Sequence, residues 1–169
     1  MLTFFFAVGD QIIVKDAIPL GMTEPIPFDD IGPRAVALFR IVQMEKLLCD
    51  MLGVCQLLPY SYDQLAKVTA AVTGWNTSVM EQLRVAERNL TMARLFNVRA
   101  GFTADDDKLP QRFFQPTRDG ALADTSLNPE KMERAKRYYY TLMGWDATTG
   151  IPTAEKIEEL GLKEVTKEG

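Results

Sequence analysis

An all-α fold is what this sequence predicts: an irregular multi-helix domain of about five helices, with a long ordered loop and a poorly defined N-terminal segment. Two observations carry that prediction. Apolar residues recur at intervals of three and four through 33–51, 62–73, 79–98 and 129–143, the spacing that gathers them on one face of a helix. Each of these stretches also starts with a proline or a polar cap, and glycine stops three of them, at Gly53, Gly74 and Gly144.

Residues 1–31 are the N-terminal segment and connector. Phe4 to Val14 is rich in aromatic and β-branched residues around Gly9-Asp10, which suits a short hairpin. Pro19, Gly21, Pro25 and Pro27 then forbid regular structure, so Asp16 to Ile31 reads as an extended connector. The helical domain is expected over 32–169. Pro33 opens its first helix, with Val36, Phe39, Ile41/Val42, Met44, Leu47/Leu48 and Met51 inward and Gly53 as the stop. Leu57-Leu58-Pro59 turns the chain.

Ser61 or Tyr62 starts a second helix, with Leu65, Val68, Thr69 and Val72 on one side and Gly74 at its end. Asn76, Thr77 or Ser78 caps a third helix running to about Val98. Its apolar positions are Val79/Met80, Leu83, Val85/Ala86, Leu90, Met92/Ala93 and Leu95/Phe96, while Glu81, Arg84, Glu87 and Arg88 read as a solvated face. Residues 99–127 form the long loop, and a loop of that length inside a compact domain is functional or packed against something. Asn128-Pro129 caps and opens a fourth helix through Met143, with Met132, Ala135, Tyr138/Tyr139 and Leu142 inward. A short last helix spans Ala154 to Leu160, ended by Gly161, and a charged tail follows.

The totals narrow the function classes. At 169 residues the length suits one domain that can bury a core without disulfides. A net charge of −4 with no basic stripe argues against a nucleic-acid partner, and no stretch of 18 apolar residues offers a membrane span. Met1 to Val8 is apolar but has no basic residue ahead of it, so it reads poorly as a signal peptide, and a cytoplasmic location is the default. Histidine is absent, which removes the commonest acid–base group and metal ligand. Cys49 and Cys55 alone fall short of the roughly four ligands that a zinc or iron–sulfur site needs. Asp105-Asp106-Asp107 invites a calcium reading, but the alternating oxygen ligands and closing glutamate of an EF-hand are missing.

The stretch that carries chemistry is Asp50-Met51-Leu52-Gly53-Val54-Cys55. A helix ending at Gly53 leaves a carboxylate one turn back, bare backbone, and a thiol just past the end. The carboxylate can accept paired N–H donors from a flat heterocycle, and the thiol can reach iron or zinc. Taken alone the motif is weak: a lone cysteine is more often a small buried hydrophobe, and aspartate ahead of a helix-ending glycine is commonly a turn residue.

Several stretches in series resemble the C-terminal part of the tungsten-containing aldehyde:ferredoxin oxidoreductase family. Asp50-Met51-Leu52-Gly53-Val54-Cys55 is similar to that family's Asp-x-x-Gly-Leu-Cys element, with Val54 in place of its leucine. Arg94 to Phe102 follows, then Asp106-Asp107-Lys108-Leu109-Pro110-Gln111-Arg112-Phe113-Phe114, then Tyr138-Tyr139, Gly144-Trp145-Asp146, Gly150-Ile151-Pro152-Thr153 and Leu160-Gly161-Leu162. Order and spacing agree along roughly Pro33 to Leu162.

The resemblance implies an oxidoreductase that converts aldehyde and water to carboxylic acid and passes two electrons to ferredoxin. It implies tungstopterin, a tungsten held by two pterin dithiolenes, beside one 4Fe–4S cluster in the complete enzyme. Carried onto this chain, it makes Asp50 a pterin contact and Cys55 an iron ligand, with Leu52, Gly53 and Val54 bringing backbone close to the cofactor. The family's other three cluster cysteines, its second pterin aspartate, the acid and histidine at the tungsten and its β-rich domain are missing from this sequence. Neither cluster nor tungsten is therefore expected in this chain alone, and the remaining domains or subunits of the oxidoreductase are its expected partners. A homo-oligomer is also expected, because apolar residues around Leu48, Leu52, Leu57, Phe102 and Phe113/Phe114 would lack a cover. The rival reading is a noncatalytic helical interaction module derived from this family.

Overall fold

In a computed structural model, residues 30–55, 60–116, 118–120 and 123–164 are described. The hairpin and connector expected before Asp30, Leu57-Leu58-Pro59 and the end of the charged tail lie outside them. The chain forms α1 (Pro33–Leu52), α2 (Tyr62–Thr73), α3 (Val79–Arg99), a short 3-10 helix (Gln111–Phe114), α4 (Pro129–Leu142) and α5 (Ala154–Glu159). Among the described residues no strand forms; Trp145 and Pro152 make an isolated antiparallel bridge. None of these helices is long and apolar enough to cross a membrane.

Helix starts follow the capping chemistry. The Ser61 and Ser78 hydroxyls accept from the N–H of Gln64 and Glu81, whose side chains return the bond to the cap backbone. Asn128 caps α4 ahead of Pro129, and Thr153 caps α5. At the far end of α3, Gly101 is left-handed at φ +90°, and the Phe102 N–H donates back to the Asn97 carbonyl at 3.0 Å.

α1 packs against both α3 and α4, and α2 lies on α3. The core between them gathers Met44, Leu48, Cys49, Leu65, Ala86, Tyr140, Met143 and Trp145. The long loop is ordered by its own apolar residues: Leu109, Phe113 and Phe114 pack on Ile31, Leu127 and Met132. Leu95, Leu160 and Leu162 form a third cluster that seats α5.

The inward faces differ from the expected ones in particular places. Val68 and Val72 of α2 are exposed and Ala66 is buried with Leu65. The reason is contact from one side only, since α2 packs on α3 while its outer face meets solvent. In α4, Tyr138 is exposed and Tyr140 is buried, a shift of the buried stripe toward the loop that supplies Asp107. In α3, Met80, Val85 and Phe96 are exposed, whereas Gln82, Glu87, Thr91 and Arg94 are buried. Of the apolar residues expected to lack a cover, Leu48 is buried and Phe113 and Phe114 are half-buried, while Leu52 and Phe102 remain exposed.

Glu87 corrects the solvated-face reading most directly. It lies where α3 meets two other elements, and its Oε1 accepts from Arg40 of α1 at 2.9 Å and Lys156 of α5 at 3.2 Å. The Glu81, Arg84 and Arg88 side chains stay exposed as expected. Two turns on, the Arg94 guanidinium donates to the Gly150 carbonyl at 2.8 Å and pairs with Asp107 at 2.7 Å, lying over the Tyr140 and Trp145 rings. Tyr140 donates its hydroxyl to the same Asp107 carboxylate. One buried cation thus ties the 103–108 turn and the 146–150 turn to α3.

Replacing Arg94 by alanine leaves the Gly150 carbonyl without its donor and Asp107 with the Tyr140 hydroxyl but no cation. Urea unfolding should show a loss of about 3 kcal/mol, toward the lower end for a broken buried pair because Asp107 is partly solvated. Arg94→Lys should recover only part of it, since one ammonium cannot reproduce the planar fork.

Candidate functional site

The candidate site is the C-terminal end of α1. Gly53 is left-handed at φ +68°, its N–H donates to the Asp50 carbonyl at 3.2 Å, and the Val54 N–H donates to the Cys49 carbonyl at 3.0 Å. That pair of bonds is the Schellman ending, which an L side chain at position 53 would strain. Val54 completes it by packing on the core cluster that contains Cys49. The turn is therefore anchored from inside by Leu48, Cys49 and Val54, and the residues between project outward.

Asp50 and Cys55 are both exposed at this one helix end, with Leu52 and Gly53 exposed between them and Val54 half-buried. Among the described residues no atom lies within 4 Å of the position a Gly53 side chain would take. Cys49 is the opposite case. It is 5% exposed within the core, and burial first, then the Glu45 carboxylate, pushes its thiol above the ordinary range. The two cysteines thus divide between a core position and a surface position.

As a donor set, this end offers one carboxylate and one accessible thiol. Among the described residues no three His, Cys, Asp or Glu side chains group as a metal site, so any cluster held here would need most of its ligands from elsewhere. The aspartate run of the long loop has other work. Asp106 accepts from the Thr103 N–H at 2.8 Å, closing a turn that holds its carboxyl below the usual range. Asp107 is taken by Arg94 and Tyr140, and burial together with that bond pushes the Tyr140 hydroxyl well above its usual titration range. Burial does the same to Tyr139, which donates to Gln43 of α1.

Arg94 lies within one of the stretches that resemble the family, and the sequence pattern alone assigns it no role of its own. A signal was available in its position: 94 lies seven residues after 87 and three or four after 90 and 91, on the inward stripe of α3. A charge at such a position is buried only when it is paired.

Comparison with known proteins shows the family of the chain as a whole. The family model described as aldehyde ferredoxin oxidoreductase, domains 2 and 3, matches residues 9–162. The tungsten-containing aldehyde ferredoxin oxidoreductase of Pyrococcus furiosus is 31% identical over 139 residues, covering 80% of this chain and 22% of that protein. Its counterpart from Thermococcus kodakarensis is 33% identical over 142 residues with the same coverage. Among solved structures, the active-site complex BamBC of benzoyl-coenzyme A reductase, in complex with 1,5-dienoyl-CoA, superposes with a TM-score of 0.68 at 27% identity. That match covers 85% of this chain and 21% of that one. The chain spans about a fifth of the length of each. It belongs to the aldehyde ferredoxin oxidoreductase family.

Proposed function

We propose that this chain supplies one face of a tungstopterin and 4Fe–4S site in a larger oxidoreductase, with the remaining domains or subunits closing the other side. One observation carries the reading: of two cysteines six residues apart, only the one past the glycine turn is exposed, and a carboxylate is exposed at the same helix end. A domain that merely packed helices would have no use for that pairing.

In this role the Asp50 carboxylate accepts two N–H donors from the edge of a pterin, a charge-assisted arrangement that fixes the ring's orientation. The Cys55 thiolate is one ligand to iron, and Gly53 lets backbone approach the cofactor without a side chain intervening. The chain's contribution is placement: a rigid turn holds the pterin contact and the cluster ligand at a set separation. When bound, the tungsten group supplies the two-electron oxidation of aldehyde and water to carboxylic acid, and the cluster supplies a route by which those electrons reach a ferredoxin.

The test is reassembly with the polypeptide that supplies the rest of the family's length. The complex should contain iron and tungsten; Cys55→Ser should deplete iron, Cys49→Ser should spare it, and Asp50→Asn should weaken pterin and tungsten retention, since an amide offers one acceptor where the carboxylate offers two. A stable complex devoid of both metals would instead favour the noncatalytic interaction module.

Thiol chemistry gives a second check. In the isolated folded chain, iodoacetamide at neutral pH should alkylate Cys55 roughly tenfold or more faster than Cys49, because the latter is enclosed and its thiolate disfavoured. Peptide mass mapping reads the two sites separately, and equal rates would contradict the division.

A further inference from the structure

The end of the molecule that carries the Gly53 turn also carries the corner between α2 and α3. Val36, Phe39 and Gln43 of α1 border the same space as Leu90, Arg94 and Asn97 of α3, whereas Leu48 and Cys49 cluster with Ala86. The two helices therefore run antiparallel, and the end of α1 lies level with the start of α3. Only residues 74–78 join α2 to α3, so that corner stands at the same end.

This corner is apolar and free of charge. Residues 68–80 include no Asp, Glu, Lys or Arg, although the chain as a whole is 25% charged. Residues 71–76 are exposed throughout, and Val72, Trp75 and Met80 are 81%, 68% and 74% exposed. Met51 and Leu52 beside the Gly53 turn are exposed as well. Single exposed apolar residues are ordinary, but several at one end with no charge among them mark an interaction surface.

Backbone bonds set the exposure of Trp75. Gly74 is left-handed at φ +73°, and its N–H donates to the Ala70 carbonyl at 2.9 Å. The Trp75 N–H donates to the Thr73 hydroxyl at 3.1 Å, and the Thr77 N–H donates to the Trp75 carbonyl at 3.0 Å. The capping box of Ser78 and Glu81 then opens α3. A large aromatic ring on a closed turn loses little conformational freedom when it docks, which is what an interface anchor requires.

We propose that this corner docks the polypeptide that supplies the rest of the family's length, with Trp75 as the anchor. The proposal rests on the cofactor reading above and extends it by naming where the two parts meet. The relatives are about five times as long as the region matched here. A second copy of this chain seated at this end would cover Asp50 and Cys55 and exclude what they hold. The body that closes the cofactor site is therefore the occupant that this end can take. An uncharged apolar surface suits a permanent contact, since no ion has to be desolvated.

Titration of that polypeptide into the full chain, with 5-fluorotryptophan in this chain alone, tests the docking by fluorine NMR. Assembly should abolish the solvent isotope shift of the Trp75 resonance and leave that of buried Trp145 unchanged. Trp75→Ala should weaken association by roughly thirtyfold or more, with helix content unchanged by circular dichroism. A complex that retains iron and tungsten while Trp75→Ala binds as tightly as the original chain would overturn the docking surface and leave the cofactor reading standing. A Trp75-dependent complex without either metal would support the docking surface and overturn the cofactor reading. No complex at all, or a Trp75-dependent dimer of this chain in its place, would overturn the docking surface.

Discussion

The left-handed turn at Gly53 is the constraint on which the candidate site depends. It converts the end of α1 from a frayed helix into a fixed corner, because two backbone bonds and one apolar contact close it together. The corner divides its residues into two sets. Leu48, Cys49 and Val54 face the protein, while Asp50, Leu52 and Cys55 face away. The same six-residue spacing that brings two thiols near each other in sequence therefore gives them unlike environments.

The apolar core packs α1 against α3 and α4, and buried charges on α3 help fix how the surrounding segments register. Glu87 and Arg94 sit on the inward stripe where apolar residues would be simpler, and each gathers partners from two separate segments. Buried charges of this kind cost desolvation, and their net effect on stability is modest even when they are fully paired. Their effect on uniqueness is larger. Glu87 accepts donors from α1 and α5 only if both helices stand in one register, and Arg94 reaches Gly150 and Asp107 only if both turns close. Gly150 belongs to the same arrangement, since a side chain there would run into Arg94 and Tyr140. Most of the stretches that resemble the family thus serve architecture, whereas Asp50 to Cys55 is the stretch left facing outward.

Much of this was legible in the sequence because helix ends are written in local chemistry. Ser61, Ser78, Asn128, Gly53 and Gly74 each act within four residues of themselves, and every one lies at the helix end where its chemistry predicts it. Less legible was anything set by a third body. Glu87 looks solvated when α3 is read alone, because nothing local announces that α1 and α5 converge on it. Val68 and Val72 look buried for the converse reason: periodicity marks a face but not whether a neighbour exists to cover it. Tyr140 in place of Tyr138 reflects a partner in the long loop 33 residues upstream. The outward set at the α1 end was identified by spacing and family resemblance together, and the division between Cys49 and Cys55 needed coordinates.

This corner is built by the chain itself, ahead of any cofactor. Amide hydrogen exchange in the metal-free chain, read at Val54, tests it most directly. Its N–H donates into the closed turn at 3.0 Å, so protection close to that of the α1 core amides is the predicted result. Exchange at Val54 as fast as in an unstructured peptide, with the rest of α1 still protected, would mean that the corner does not form without the cofactor.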